Sequence, residues 1–307
     1  MLGVYIPCDR AEDVGSPSSE VTVMHVNSDL GPIGAEVSGV DLAMPLSDAL
    51  IQDLRRAWLN HGVLVFRNQT LTPKAQAEFA SRFGELDIYP FMKSLDDDPH
   101  VIPIIKEADA VLNFGGDWHT DTSYKQRPPQ ATLLYAVEVP TVGGDTLFAD
   151  ATQAYEDLSP AFRATLDGLT GVYTPKMVHG QGGDYRQVSA KAQLGSAYGG
   201  NTEFAESEVL HPLIRTHPET GRKSIYCSRP HTHRVQGWTR AESKDLIASL
   251  SRHLTQDHYV TRLTWTKGTL VIWDNRCLFH NALNDYQGHR RAMPVSYTHL
   301  RAHETLM

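Results

Sequence analysis

The chain has 307 residues, 21% of them charged, and a formal net charge of −8. That length suits one large domain with a real core, and the acidic balance lacks the basic footprint of a nucleic-acid binder, so small molecules are the expected ligands. Cys8, Cys227 and Cys277 are too few and too scattered for a disulfide framework, so a reducing cytoplasm is the expected compartment.

Residues 1–8 have no basic flank or sustained apolar stretch, and no later segment approaches the roughly 18 apolar residues of a membrane span, so neither secretion nor insertion is expected. Residues 1–20, rich in Asp, Glu, Gly, Ser and Pro, read as a loosely ordered extension. A strand is expected over 21–26 and another over 33–40, alternating and bounded by glycines. Ser47 caps a helix on which Leu50, Ile51, Leu54, Ala57 and Trp58 recur at helical spacing before His61-Gly62. Val63-Leu64-Val65-Phe66 is a buried strand, and a second helix starts at Thr72-Pro73 and ends by Gly84.

Beyond Gly84 short strands dominate, among them 132–137, 145–148, 263–265 and 270–273. Two helical regions interrupt them, 151–158 with 161–166, and 239–254, the latter opened by a capping pair at Thr239 and Glu242. Residues 180–200, rich in Gly, Ser and Gln, read as a mobile loop over a site. The sum is an α+β chain whose strands form a two-sheet jelly roll.

The chemistry starts at Trp118-His119-Thr120-Asp121. On an extended segment His119 and Asp121 face one side and Thr120 the other. With His280, which lies 159 positions beyond Asp121, they supply two imidazoles and a carboxylate, a set that suits Fe(II) and leaves positions open for a chelating co-substrate and dioxygen. A closed zinc site would want a fourth ligand, usually with cysteines. His-x-Asp alone is weak in a chain with fifteen histidines, but ordered flanks strengthen it: Gly115-Gly116-Asp117, Tyr124, Pro128-Pro129 and Gly143-Gly144-Asp145-Thr146. The turn-like Asn284-Asp285-Tyr286-Gln287-Gly288 is expected to fold the chain back and lay Arg291 beside the strand carrying His280, where an arginine can hold a carboxylate bidentately. His211, His217, His231 and His233 are read as structural rather than as a second metal site, with His231-Thr232-His233 in a loop.

Together these segments, with Gly34-Ala35-Glu36-Val37-Ser38-Gly39-Val40-Asp41-Leu42, Arg82-Phe83-Gly84-Glu85-Leu86, His211-Pro212-Leu213-Ile214-Arg215-Thr216-His217-Pro218 and Trp273-Asp274-Asn275-Arg276, resemble the taurine dioxygenase/TfdA family of Fe(II)- and 2-oxoglutarate-dependent dioxygenases over residues 31–293. The resemblance implies a double-stranded β-helix core with flanking helices. It implies that His119, Asp121 and His280 bind Fe(II), and that Arg291 with Thr146 holds the far carboxylate of the co-substrate 2-oxoglutarate. The implied reaction consumes dioxygen, releases succinate and CO2, and hydroxylates a small organic acid, sulfonate or sulfate ester. Halogenating relatives lack the carboxylate ligand, so Asp121 implies hydroxylation. A homo-oligomer is expected, without nucleic-acid or membrane partners.

Taurine-specific members meet the sulfonate with a His and an Asn at positions that here carry Tyr89 and Gly115. Pro90-Phe91-Met92-Lys93-Ser94 and Ile105-Lys106-Glu107-Ala108 are closer to the phenoxypropionate-type branch, which places Tyr89, Met92, Gly115 and Tyr124 as substrate-pocket candidates. Family members continue as Arg-x-Met-His-Arg, whose last arginine meets the substrate anion; here the chain reads Arg291-Ala292-Met293-Pro294-Val295. Residues 294–307 are therefore read as a non-native end, the other reading being a substrate without an anion. A catalytically impaired protein that still binds the metal and 2-oxoglutarate is the alternative function, and a zinc hydrolase a more distant one.

Overall fold

The computed structural model describes residues 24–180 and 203–299. The extension 1–20, the beginning of the first expected strand, the expected loop after Gly180 and the chain end beyond His299 lie outside the described residues. In chain order the strands and helices are β1 His25–Asn27, β2 Ala35–Ser38, α1 Asp48–His61, β3 Val63–Phe66, α2 Pro73–Ser81, β4 Glu85–Leu86, β5 Val101–Lys106, β6 Ala131–Tyr135 and β7 Thr146–Asp150. They continue as α3 Ala151–Glu156, α4 Pro160–Leu166, β8 Thr170–Tyr173, α5 Lys176–His179, β9 Val209–Pro212, β10 Ile214–Thr216, β11 Lys223–Ile225, β12 Thr232–Val235, α6 Arg240–Leu254, β13 Val260–Leu263, β14 Leu270–Asp274, β15 Leu278–Ala282 and β16 Arg291–His299.

A large sheet runs β1-β2-β3-β14-β6-β16-β4, with β5 also on β16, and a smaller sheet runs β13-β7-β15. Every pairing in them is antiparallel except β2 with β3. The two sheets face one another as a jelly roll, and helices cover the outside. The continuous apolar runs follow from this layering. In β3, Val63 and Val65 enter the core between the sheets, while Leu64 and Phe66 pack outward with Leu54, Trp58 and Phe79 of α1 and α2. In β14, Val271 and Trp273 face inward and Leu270 and Ile272 outward. A third core joins Ala149 and Phe279 of the small sheet to Ile247, Leu250 and Leu254 of α6. Strands buried on both faces lose the alternation that a solvated face would impose.

The expected caps form. Ser47 Oγ accepts from Leu50 N, Thr72 Oγ1 from Ala75 N, and Thr239 with Glu242 closes a capping box. Two expectations change. The strand placed at 263–265 runs Val260–Leu263 instead, because Thr264 turns its hydroxyl to Asp145 and Trp265 its indole N–H to Thr146. His231 leads into β12 rather than lying in a free loop. The ladder donor that Pro294 lacks is not missed: Pro294 lies opposite Pro103 of β5, so both residues without an N–H occupy one rung, and β16 continues to His299. Among the described residues, no helix is long and apolar enough to cross a membrane.

Candidate metal and co-substrate site

His280 sits in β15 and exchanges two backbone hydrogen bonds with His119, His119 N to His280 O at 3.0 Å and His280 N to His119 O at 2.8 Å. One rung thus joins residues far apart in the chain. The expected extended His-x-Asp segment shrinks to this bridge: Asp121 begins a turn in which Thr122 has φ 41°, a strained conformation for a β-branched residue. Thr120 points away, as expected, its hydroxyl donating to Asn275 O at 2.7 Å. Gly115, at φ 78°, lies against His119, where a Cβ would come within 3.3 Å of the ring. A side chain there would crowd the imidazole.

The donor atoms of His119, Asp121 and His280 all lie within 4.8 Å of one another. Asp121 Oδ1 is 3.5 Å from His119 Nε2 and 3.7 Å from His280 Nε2. His119 Nδ1 donates to Asp117 O at 2.7 Å, which leaves its Nε2 lone pair facing the carboxylate. Burial opposes charge on all three groups. Asp121 is nevertheless held at about 2 by His280, His119 and the Thr132 hydroxyl, while burial and the neighbouring His119 push His280 down to about 3. Burial works against a charged His119 too, but its contacts with Asp121 and Asp117 raise it. A carboxylate beside two inward-facing imidazole nitrogens is the form that a divalent cation needs.

A hydrogen-bonded chain fixes the carboxylate. Thr132 Oγ1 donates to Asp121 Oδ2 at 2.7 Å, Asn275 Nδ2 donates to Thr132 Oγ1 at 2.8 Å, and Trp273 Nε1 donates to Asn275 Oδ1 at 3.0 Å. His231 stands behind the cluster, its ring centre 5.9 Å from that of His119, its Nδ1 2.9 Å from Ser123 Oγ. Neither Thr132 nor His231 carries a local sequence signal for this position. His217, Asp274 and Cys277 also converge, but Arg276 donates to both Asp274 oxygens, at 2.8 and 2.6 Å, and His217 Nε2 donates to Oδ2 at 3.0 Å. That carboxylate belongs to a buried ion cluster.

The triad opens into a cavity between the two sheets. The large sheet contributes Thr132, Leu134, Trp273, Arg291, Val295 and Tyr297; the small sheet contributes Thr146, His280 and Ala282; Ile104 and Phe114 complete the apolar wall. Arg291 does not arrive by the hairpin expected from residues 284–288. β15 pairs with β7 and β16 with β5 and β6, so the turn crosses between sheets, and Arg291 faces His280 across the cavity. The twofold period of β16 explains the geometry, because Arg291, Val295 and Tyr297 share its inner face. Arg291 is 4% exposed, and its Nε and Nη2 have no partner among the described residues. Its guanidinium lies 5.8 Å from the centre of the Trp265 ring, whose Nε1 donates to Thr146 Oγ1 at 2.9 Å. A buried guanidinium with idle donors is costly until an anion meets it, so this end of the cavity fits a carboxylate.

Of the four pocket candidates, Gly115 lines the cavity. Tyr89 stands one layer behind, stacked at 5.6 Å on Tyr297. Tyr124 packs in the interior between Phe91, Phe204 and His231, and Met92 lies half-buried against the same aromatic core.

Comparison with known proteins matches residues 27–297 to the family described as "Taurine catabolism dioxygenase TauD, TfdA family". The chain is 35% identical over 269 residues to an (S)-phenoxypropionate/alpha-ketoglutarate-dioxygenase of Sphingobium herbicidovorans, covering 83% of this chain and 88% of that protein. It is 31% identical over 264 residues to an alkylsulfatase of Acinetobacter baylyi, covering 86% and 81%. The crystal structure of a taurine dioxygenase from Burkholderia xenovorans superposes with a TM-score of 0.73 at 31% identity, covering 91% of each chain. With this fold, this donor set and these relatives, the chain belongs to the TauD/TfdA family and is an Fe(II)- and 2-oxoglutarate-dependent dioxygenase.

Proposed function

We propose that His119, Asp121 and His280 hold Fe(II), that Arg291 and Thr146 seat the distal carboxylate of 2-oxoglutarate, and that the enzyme hydroxylates a small organic acid, sulfonate or sulfate ester. The observation that carries this reading is the unpartnered guanidinium of Arg291 at one end of a cavity whose other side gathers three metal-type donors. When bound, Fe(II), 2-oxoglutarate and dioxygen supply the oxidation, giving succinate, CO2 and hydroxylated product.

The protein's part is binding and orientation. Asp117 O keeps the His119 tautomer, and Thr132 leaves Asp121 Oδ1 directed at the imidazoles. Ile104, Phe114, Leu134, Val295 and Tyr297 exclude water and hold the apolar body of the substrate beside the metal. Relatives named for phenoxypropionate and for sulfate esters support the substrate class. Isolated cysteines, Cys227 and Cys277 both free, support a cytoplasmic setting.

The experiment is a succinate assay with taurine, alkyl sulfates and phenoxyalkanoates as substrates. Substrate-triggered succinate formation is expected, and His119→Ala is expected to abolish it; succinate production unchanged by that substitution would refute the assignment.

A further inference from the structure

Beside Arg291, on the neighbouring strand, lies a second buried cation with idle donors. Register places Lys106 of β5 directly opposite Arg291 of β16, and directly opposed residues of an antiparallel pair project to the same face. That face is the inner one, since Ile104, two residues before Lys106, and Val295, four after Arg291, both line the cavity. Lys106 is 4% exposed, and its ammonium has no hydrogen-bond partner among the described residues. It rests 4.4 Å above the centre of the buried Tyr286 ring, whose hydroxyl is also without a partner. A ring face returns less to a cation than burying an ammonium costs. Asp145, whose charge acts on Arg291, is engaged through Oδ2 by Arg262 and Thr264, and its buried Oδ1 has no hydrogen-bond partner among the described residues.

Two adjacent buried cations thus have idle donors and no ion pair among the described residues. We propose that Lys106 is a second co-substrate-binding residue, which swings its ammonium from the Tyr286 ring to share the distal carboxylate of 2-oxoglutarate with Arg291; this rests on the placement of 2-oxoglutarate proposed above. Arg291 supplies the planar, bidentate contact, and Lys106, on a flexible stem, supplies a point charge. Together they select a dicarboxylic 2-oxo acid over a monocarboxylic one.

The test is calorimetric binding to the full chain loaded with Mn(II) in the absence of oxygen, comparing 2-oxoglutarate with 2-oxobutyrate, which has the same 2-oxo acid head and no distal carboxylate. Lys106→Met is expected to lower the preference for 2-oxoglutarate about tenfold, as suits loss of one charge-assisted contact, while Lys106→Arg keeps it. Because the readout is a ratio of affinities within one preparation, partial unfolding does not mimic the result. A Lys106→Met protein that keeps the parent's preference within about twofold overturns the inference. Arg291→Gln separates the two readings: if it loses the preference while Lys106→Met keeps it, Lys106 alone is misassigned, and if both keep it, the co-substrate site itself is misplaced.

Discussion

At the scale of single residues, the site depends on groups that divide the labour of one carboxylate. Thr132 occupies Asp121 Oδ2, which leaves Oδ1 with the imidazoles, and Asn275 holds Thr132 in turn. Thr132→Val keeps the shape, removes that donor and leaves the buried Asn275 amide without its acceptor. Affinity for Mn(II) is therefore expected to fall about tenfold or more, as for other groups that orient metal ligands, with the change read by metal titration of the folded protein. An unchanged affinity would mean that Asp121 is oriented by its backbone alone. The His119-Thr120-Asp121 triplet is legible because two of the three donors are neighbours in the chain. Thr132 and Lys106 are illegible, because a threonine or lysine at the right register is like any other until its strand has a partner.

Among elements, β16 decides most. It carries Arg291 at its start and Val295 and Tyr297 on the same inner face, so residue 295 lines the same cavity as Arg291 and the His119, Asp121 and His280 cluster. The proposed division of the chain puts a non-native end from 294 onward, and on that reading Pro294–His299 supply this wall in place of a native segment. The family match runs to residue 297, and β6 pairs with Val295 through Thr298. Val295→Arg would place at this position the arginine that the family resemblance implies. Substrate-triggered succinate formation with alkyl sulfates or phenoxyalkanoates is expected to rise at least tenfold, read at substrate concentrations below KM, if an anion is recognised at that position. No gain would favour a substrate whose anion, if it has one, is held elsewhere. The same strand shows the limit of local reading. The turn after β15 looked like a hairpin, but β15 and β16 lie in opposite sheets, since each found better-matched partners in β7 and in β5 with β6.

For the whole molecule, the buried cluster of Asp274, Arg276 and His217 ties the end of β14 to the segment after β10. Burial opposes the Asp274 charge, but Arg276 and His217 outweigh it and hold the carboxyl well below its ordinary 3.8. The sign follows from linkage: the unfolded chain takes up this proton first, so the contribution is present above pH 3.8 and is lost as pH falls from there toward the folded-state value. Asp274→Asn is expected to destabilise the fold by about 2–4 kcal/mol, because Arg276 stays buried with only Glu219 left to offset its charge. It should also flatten the dependence of the urea midpoint on pH below about 4, and a mutant whose acid limb matches the parent would show that Asp274 does not govern it.

Helix caps, the buried strands and the donor types of the metal group were readable from the chain, because caps act over three or four residues and apolar runs report burial directly. Folding alone brought His280 to His119, set Arg291 across the cavity from them rather than beside them, and turned Lys106 inward on the same rung. Those placements depend on which strands pair and in what register, a choice made by sheet-wide burial that no short stretch of sequence contains.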